Sequence, residues 1–270
     1  MIDLSSPETR KIIEALPRAD RERLFLLAKE KQRRDGQKSF YAVFPDRETR
    51  WAGPKTEVFS PGEKIWPRDR YLKHLEFFEA GSNYLERCFM AANRVGKTIS
   101  GGYEDVCHAT GLYPKWWKGR RFSHPTSGWI AGKTNETTRD ILQRKIFGKH
   151  VVVGGKKTMS GTGLMPGDRI LDCTWKQGVS NLLDTVYIRH ESGEASIIGV
   201  KSYQQGPDAF EGEEKDWIHL DEEPPRIVYD ECLFRTATTK GLIYLTFTPL
   251  QGMSDVVLAY MPGGADTLNA

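Results

Sequence analysis

The chain has 270 residues, with 39 Lys and Arg against 36 Asp and Glu for a net charge of +3, and 39% of its residues are hydrophobic. That length supports one large domain with a sizeable core. Four cysteines without a Cys-x-x-Cys pair argue against a disulfide scaffold or a zinc ribbon, and no apolar run approaches membrane-spanning length. The start, Met1-Ile2-Asp3-Leu4-Ser5, lacks a basic segment followed by an apolar one, so neither secretion nor membrane insertion is expected.

Residues 1 to 35 read as helical: Ser6 can cap, Pro7 takes the first helical position, and Ile12, Ile13, Leu16, Leu24, Leu26 and Leu27 supply apolar stripes. Asp35-Gly36 breaks the pattern. From Ser39 to Pro67 the sequence is irregular and rich in Pro, Gly and aromatics, which predicts a strap packed on the main domain without chemistry of its own. Tyr71 to Ala80 resumes a helix with Leu72, Leu75 and Phe78 facing inward. Trp66 or Tyr71 could stack on an adenine, although packing is the commoner fate of such rings.

Glu86 to Ala91 is a short, mostly apolar run suited to a buried strand, and Ala91-Ala92-Asn93-Arg94-Val95-Gly96-Lys97-Thr98 follows it. Ile99, Tyr103, Val106 and Cys107 then recur at helical spacing up to a stop at Gly111. Strand, loop and helix in that order let backbone N–H groups wrap a phosphate while the positive end of the helix points at it. Lys97 would neutralise the β- and γ-phosphates of ATP, and the Thr98 hydroxyl would hold Mg²⁺. The pattern G-x-x-x-x-G-K-[ST] expects glycine where Ala91 stands; the methyl groups of Ala91 and Ala92 restrict the backbone slightly without blocking the cradle.

Ser127 to Gly132 reads as a second strand, and Thr134 or Asn135 can cap a helix through Ile141, Leu142 and Ile146 to a stop at Gly148. Two strand-then-helix units predict an α/β fold with a parallel sheet. Gly154 to Gly167 is Gly- and Lys-rich and reads as a polar loop, open between a DNA contact and a plain excursion. Thr185 to Ile188 and Ala195 to Val200, separated by Glu191-Ser192-Gly193-Glu194, carry a hairpin signature.

Trp217-Ile218-His219-Leu220 runs as a strand into Asp221-Glu222-Glu223. Pro224-Pro225 then opens a helix carrying Ile227, Val228, Leu233 and Phe234, and Gly241 to Thr248 is another buried strand, ended by Pro249. An apolar strand ending in Asp-Glu is the expected second half of an ATP site. Asp221 is assigned to Mg²⁺ and Glu222 to the attacking water; Glu223 stays open as the alternative base, since one residue of register decides which carboxylate faces the phosphate. Thr246 and Thr248 end their strand with hydroxyls placed to sense a γ-phosphate, an ordinary strand terminus being the competing reading. His219 alternates with apolar positions and reads as a packed histidine.

Charge is unevenly spread. From Tyr113 to Lys157 there are eleven Lys and Arg against Glu136 and Asp140, whereas Glu211 to Glu231 holds nine acids against Lys215 and Arg226. A basic belt containing Lys133, Arg144 and Lys145 beside an acidic cluster suits an enzyme that handles both a polyanion and a divalent metal; a solvated face is the alternative for the belt.

Ala92 to Thr98, Trp217 to Pro225, Thr246-Phe247-Thr248-Pro249 and Phe210-Glu211-Gly212 together resemble the ATPase domain of the large terminase subunit, the DNA-packaging motor of tailed double-stranded DNA bacteriophages. The resemblance spans roughly residues 66 to 260. It implies a P-loop NTPase of the additional-strand, catalytic-glutamate type, with a mostly parallel central sheet flanked by helices and the strand Leu242 to Thr248 lying between the loop strand and the acidic strand. By the same resemblance Arg94 contributes to ATP engagement as a catalytic residue beside Lys97 and Glu222, and Thr246 and Thr248 couple hydrolysis to movement.

The resemblance further implies ATP and Mg²⁺ as cofactors, with Ala91 through Thr98, Asp221 and Thr248 holding the nucleotide and Thr98 and Asp221 the metal. It implies double-stranded DNA, a portal-bearing procapsid and a small terminase subunit as partners, a homo-oligomeric ring, and a workplace in the host cytoplasm. A trans arginine finger is expected, with Arg139 or Arg235 as candidates. The domain reading is an N-terminal helical appendage and strap at 1–65, the ATPase at 66–260 and a linker stub at 261–270. No glutamine-bearing adenine motif stands near Trp66 to Tyr71, and no nuclease activity is expected in this chain. A helicase-like or DNA-repair ATPase is the competing assignment; such enzymes usually add a second motor lobe.

Overall fold

The structure is a computed structural model that describes residues 15–24, 27, 38–250 and 252–261. Residues 18–24 are helical; the predicted caps and apolar positions from Ser6 to Ile13, together with Leu26 and the break at Asp35-Gly36, lie outside the described residues.

Seven strands form the central sheet: β1 (Glu86–Met90), β2 (Ser127–Gly132), β3 (Ile170–Trp175), β4 (Leu183–Arg189), β5 (Ala195–Ser202), β6 (Trp217–Asp221) and β7 (Leu242–Phe247). Their spatial order is β1-β7-β6-β2-β5-β4-β3. The first five are mutually parallel, and β4 and β3 complete the far edge antiparallel. β7 does lie between the loop strand β1 and the acidic strand β6. Every residue of β6 and β7 is buried, as expected for central parallel strands covered on both faces, and this is why both read as unbroken apolar runs.

Four helices matter to the site: α1 (Leu72–Ala80), α2 (Lys97–Thr110), α3 (135–147, with a π-helical stretch at Thr138–Gln143) and α4 (Arg226–Ala237). Side chains alternate across a strand, so Ile218 and Leu220 of β6 pack with Val228 and Cys232 of α4 on one face. Trp217, His219 and Asp221 point to the other, where α2 lies. α2 is almost wholly buried, including Ser100, Glu104, Asp105 and His108. Such polar burial requires partners: Arg87 of β1 pairs with Glu104, which also meets His108 Nε2 at 3.0 Å. Thr134 caps α3 through its side chain, and Gly148 follows the last turn with φ 88°, as its sequence signals require.

The strap packs as expected. Phe40 stacks on Tyr103 at 4.8 Å, Phe44 meets Tyr103 and Phe78 edge-on, and Thr49–Arg50 pairs with Lys64–Ile65 in a two-stranded ribbon. Three details differ from the sequence reading. α1 turns His74, Phe77 and Phe78 inward and leaves Leu72 exposed, while α4 buries Val228, Tyr229, Cys232 and Thr236 and exposes Ile227 and Phe234. Around Gly154 the polar stretch is a hairpin, His150–Val153 against Lys156–Met159, and beyond it Leu164 and Met165 are fully buried. β3 carries no clean alternation because its pairing with β4 is interrupted by two register shifts. The four cysteines are free. Among the described residues no helix is long and apolar enough to cross a membrane.

Candidate functional site

The loop joining β1 to α2 turns through two left-handed residues, Arg94 at φ 65° and Gly96 at φ 90°. Glycine adopts that conformation freely; for arginine it is strained by about 1–2 kcal/mol. The turn leads into the N-terminus of α2, whose unpaired N–H groups face the loop. His74 Nε2, 3.0 Å from the Val95 carbonyl, ties the loop to α1.

Lys97 is buried beneath the loop. Its ammonium donates to the Ala91 and Ala92 carbonyls at 3.0 and 2.8 Å and to Thr248 Oγ1 at 2.8 Å. The Thr248 hydroxyl in turn reaches Ala91 O at 2.9 Å and Asn93 Oδ1 at 2.8 Å. Thr248, called from its position after β7, is thus built into the loop.

Thr98 Oγ1 donates to Asp221 Oδ1 at 3.0 Å, joining the start of α2 to the end of β6. Asp221 is buried and also accepts from Thr246 Oγ1 at 2.7 Å. Burial pushes its carboxyl pKa up, an effect that His219 and the Thr246 and Thr98 hydroxyls oppose without cancelling. A hydroxyl and a carboxylate on adjoining element ends are hard oxygen donors. They fit Mg²⁺, which keeps several waters and takes one or two protein oxygens together with phosphate; a cation there would also offset the cost of holding Asp221 ionised in the interior.

Glu222 and Glu223 diverge. Glu222 has φ 69°, donates its N–H to Thr246 O at 3.0 Å and is exposed at the surface of the site. Partial enclosure of its carboxyl and the neighbouring Asp221 charge raise its pKa, and Lys97 and Lys133 pull it back down. Glu223 accepts a hydrogen bond at Oε1 from Ser254, the residue that caps the helix Asp255–Ala259. The Lys97 field reaches Glu222, and Glu223 is engaged at one oxygen by Ser254.

A cavity of about 400 Å³ opens beside the loop, lined by Phe44, Val58, Phe59, Ile65 and Tyr71 on one side and by Arg94, Val95 and Gly96 on the other. Tyr71 lies in it. Trp66 does not, its ring being covered by Lys64 at 3.7 Å and Arg70 at 4.8 Å. The strap therefore supplies an apolar wall that its irregular sequence did not announce. Tyr203 was also missed; its hydroxyl lies 3.0 Å from the carbonyls of both Asp221 and Glu222 and holds the strand end. No spacing signal links residue 203 to 221, because the contact crosses from the end of β5.

Arg139 pairs with Asp140 at 2.8 Å and reaches Ser180 O, and Arg235 donates to Gly212 O at 3.1 Å. The structure does not bring either arginine to the loop through a contact of its own. Several belt residues are paired within the chain: Arg144 with Glu57 at 2.9 Å, Lys145 with the Glu57 carbonyl at 3.0 Å, and Lys156 with Asp172 at 2.7 Å.

A family model described as "Terminase large subunit, T4likevirus-type, N-terminal" matches residues 88–263, a span that begins inside β1 and takes in the loop, β6 and β7. The chain belongs to the large terminase subunit family. It is 38% identical over 210 residues to the large terminase subunit of Salmonella phage P22, covering 71% of this chain and 41% of that protein. The terminase chain therefore spans about two fifths of that relative's length.

Among solved structures it is similar to a variant ATPase domain of the Thermus phage P74-26 large terminase, with 13% identity, a TM-score of 0.40 and coverage of 69% of this chain and 71% of that one. It is also similar to the HK97 bacteriophage large terminase, with 10% identity, a TM-score of 0.44 and coverage of 79% and 37%. The strap and α1, which wall the cavity in this terminase chain, precede the family match.

Proposed function

We propose that this terminase chain is an ATPase that binds ATP with Mg²⁺ and hydrolyses it to drive double-stranded DNA into a preformed capsid. The observation that carries the reading is the 3.0 Å contact between Thr98 and Asp221, which joins the loop end and the strand end on which a magnesium nucleotide depends. In this reading Ala91 through Gly96 wrap the phosphates with backbone N–H groups, Lys97 and Arg94 meet their charge, and Thr98 and Asp221 hold the metal. The metal's contribution when bound is to neutralise charge on the phosphate oxygens. Glu222 orients and deprotonates the attacking water, and Thr248, bonded to both Lys97 and Asn93, senses the γ-phosphate. The base enters the apolar cavity against Tyr71.

The same reading places the terminase in the host cytoplasm as a ring on a portal-bearing procapsid, supplied with DNA by a small subunit and completed by an arginine from the neighbouring copy. ATP hydrolysis by this chain, measured alone, with duplex DNA and with portal-bearing procapsids, tests it. Turnover that rises with DNA and procapsids is expected. Turnover that is absent, or unaffected by Lys97→Ala, overturns it.

A further inference from the structure

A buried polar chain runs behind Asp221. β6 and β7 pair so that His219 lies beside Tyr244 and Asp221 beside Thr246, all four on the face toward α2. His219 Nδ1 is 2.8 Å from Asp105 Oδ2, and the Tyr244 hydroxyl donates to Asp105 Oδ1 at 2.6 Å. On its other side, His219 Nε2 is 2.8 Å from Thr246 Oγ1, which is 2.7 Å from Asp221 Oδ1. Asp105, His219 and Tyr244 are fully buried.

The hydrogens fix the direction. A carboxylate only accepts, so the single Thr246 hydrogen goes to Asp221, which leaves the Thr246 oxygen to accept from His219 Nε2–H. The imidazole is seated by Gly101 of α2, where an added Cβ would stand 2.2 Å from Nε2. Thr98 and Asp105 are seven residues, or about two turns, apart on α2, so one face of that helix meets the β6–β7 pair at Asp221 and again at His219 and Tyr244. An apolar residue at 219 would fill the same space at less cost than a buried acid and imidazole. The chain that exists instead ends on Asp221.

We propose that Asp105 and His219 are positioning residues, which act through the Thr246 hydroxyl to hold the Asp221 carboxylate in its metal-binding orientation. This rests on the magnesium-nucleotide reading above. Hydrogen-bond partners of metal-ligating carboxylates set ligand orientation, and their loss lowers metal affinity by about 10- to 100-fold.

The test is ADP binding to the purified chain, by calorimetry, in excess Mg²⁺ and in EDTA. His219→Gln and Thr246→Val should each weaken binding in Mg²⁺ about 10-fold while leaving binding in EDTA unchanged. Thr246→Ser, which keeps the hydroxyl, should restore wild-type affinity, and H219Q combined with T246V should be no weaker than the worse single variant. Should H219Q fold too poorly to assay, Asp105→Asn, which keeps the volume at 105, carries the same comparison. Equal losses in Mg²⁺ and EDTA, additive losses, or no loss would reduce the chain to packing. Wild-type protein that binds ADP no more tightly in Mg²⁺ than in EDTA counts against the magnesium-nucleotide reading itself, a result separable from any variant's.

Discussion

Thr98 and Asp221 stand 123 residues apart in sequence and 3.0 Å apart in space. The contact exists because β6 and α2 meet at one end of the sheet. Lys97, which precedes Thr98, makes two hydrogen bonds to loop carbonyls and a third to Thr248. Lys97→Ala removes a charged donor whose hydrogen bonds are worth about 1.5–3 kcal/mol, so ATP affinity should fall on the order of 10- to 10²-fold. Equilibrium binding of a fluorescent ATP analogue checks it.

Glu222→Gln should leave ATP binding intact and slow turnover by about 10²–10⁴-fold, the range for a lost general base. Glu223→Gln should slow it far less, because Glu223 is engaged by Ser254. Single-turnover hydrolysis by the two variants decides the assignment, and the opposite ranking would move the base to Glu223.

As the proposed base Glu222 acts ionised, so activity should fall as pH drops through its pKa, which partial enclosure and Asp221 raise above an ordinary glutamate's. Lys133 lowers that pKa, and removing it should raise it further. In Lys133→Met the acid limb of the kcat/KM profile should therefore move to higher pH; a shift to lower pH, or none, would separate Glu222 from the limb.

Tyr71 lines the cavity beside the loop. Base–aromatic stacking is worth about 1–3 kcal/mol, so Tyr71→Ala should raise KM for ATP by roughly 10- to 100-fold with kcat little changed. Trp66→Ala should leave both near wild type, since that ring sits under Lys64 and Arg70 instead. Steady-state kinetics of the pair make the comparison.

Duplex DNA should bind weakly, with Kd on the order of 10⁻⁴–10⁻⁶ M and loss at higher salt. Glu57 pairs with Arg144 and lies 3.9 Å from Lys149, which holds part of the belt's charge within the chain. Glu57→Gln should tighten DNA binding and steepen its salt dependence. Fluorescence anisotropy across a salt series measures both, and a salt-independent signal would return the belt to a solvated face.

What could be read in the sequence divides by the range of the signal. The loop from Ala91 to Thr98, the strand into Asp221 and the cap at Thr134 are local patterns, and the structure has them where the residues announce them. The acidic order was legible only as two alternatives. The Ser254 contact that gives Glu223 different surroundings from Glu222 is made from 31 residues away, beyond the reach of any local pattern. α4 shows the limit of apolar periodicity: Tyr229 and Thr236 take the buried face, and Ile227 and Phe234 are left outside. The cavity wall from Phe44 to Ile65 and the Asp105–His219 contact are assembled from distant segments, so no local spacing encodes them.

Arg94 and Glu222 share one further property, a left-handed backbone that neither side chain favours. Such positions cost on the order of 1–3 kcal/mol each and persist where the surrounding structure enforces them. Glycine at either place would relax the chain and gain heat resistance, yet would delete the guanidinium or the carboxylate to which the proposed function assigns a role. A screen for thermostable versions of this chain should therefore collect inactive proteins from these two codons, and toughness and activity would have to be sought in different parts of the molecule.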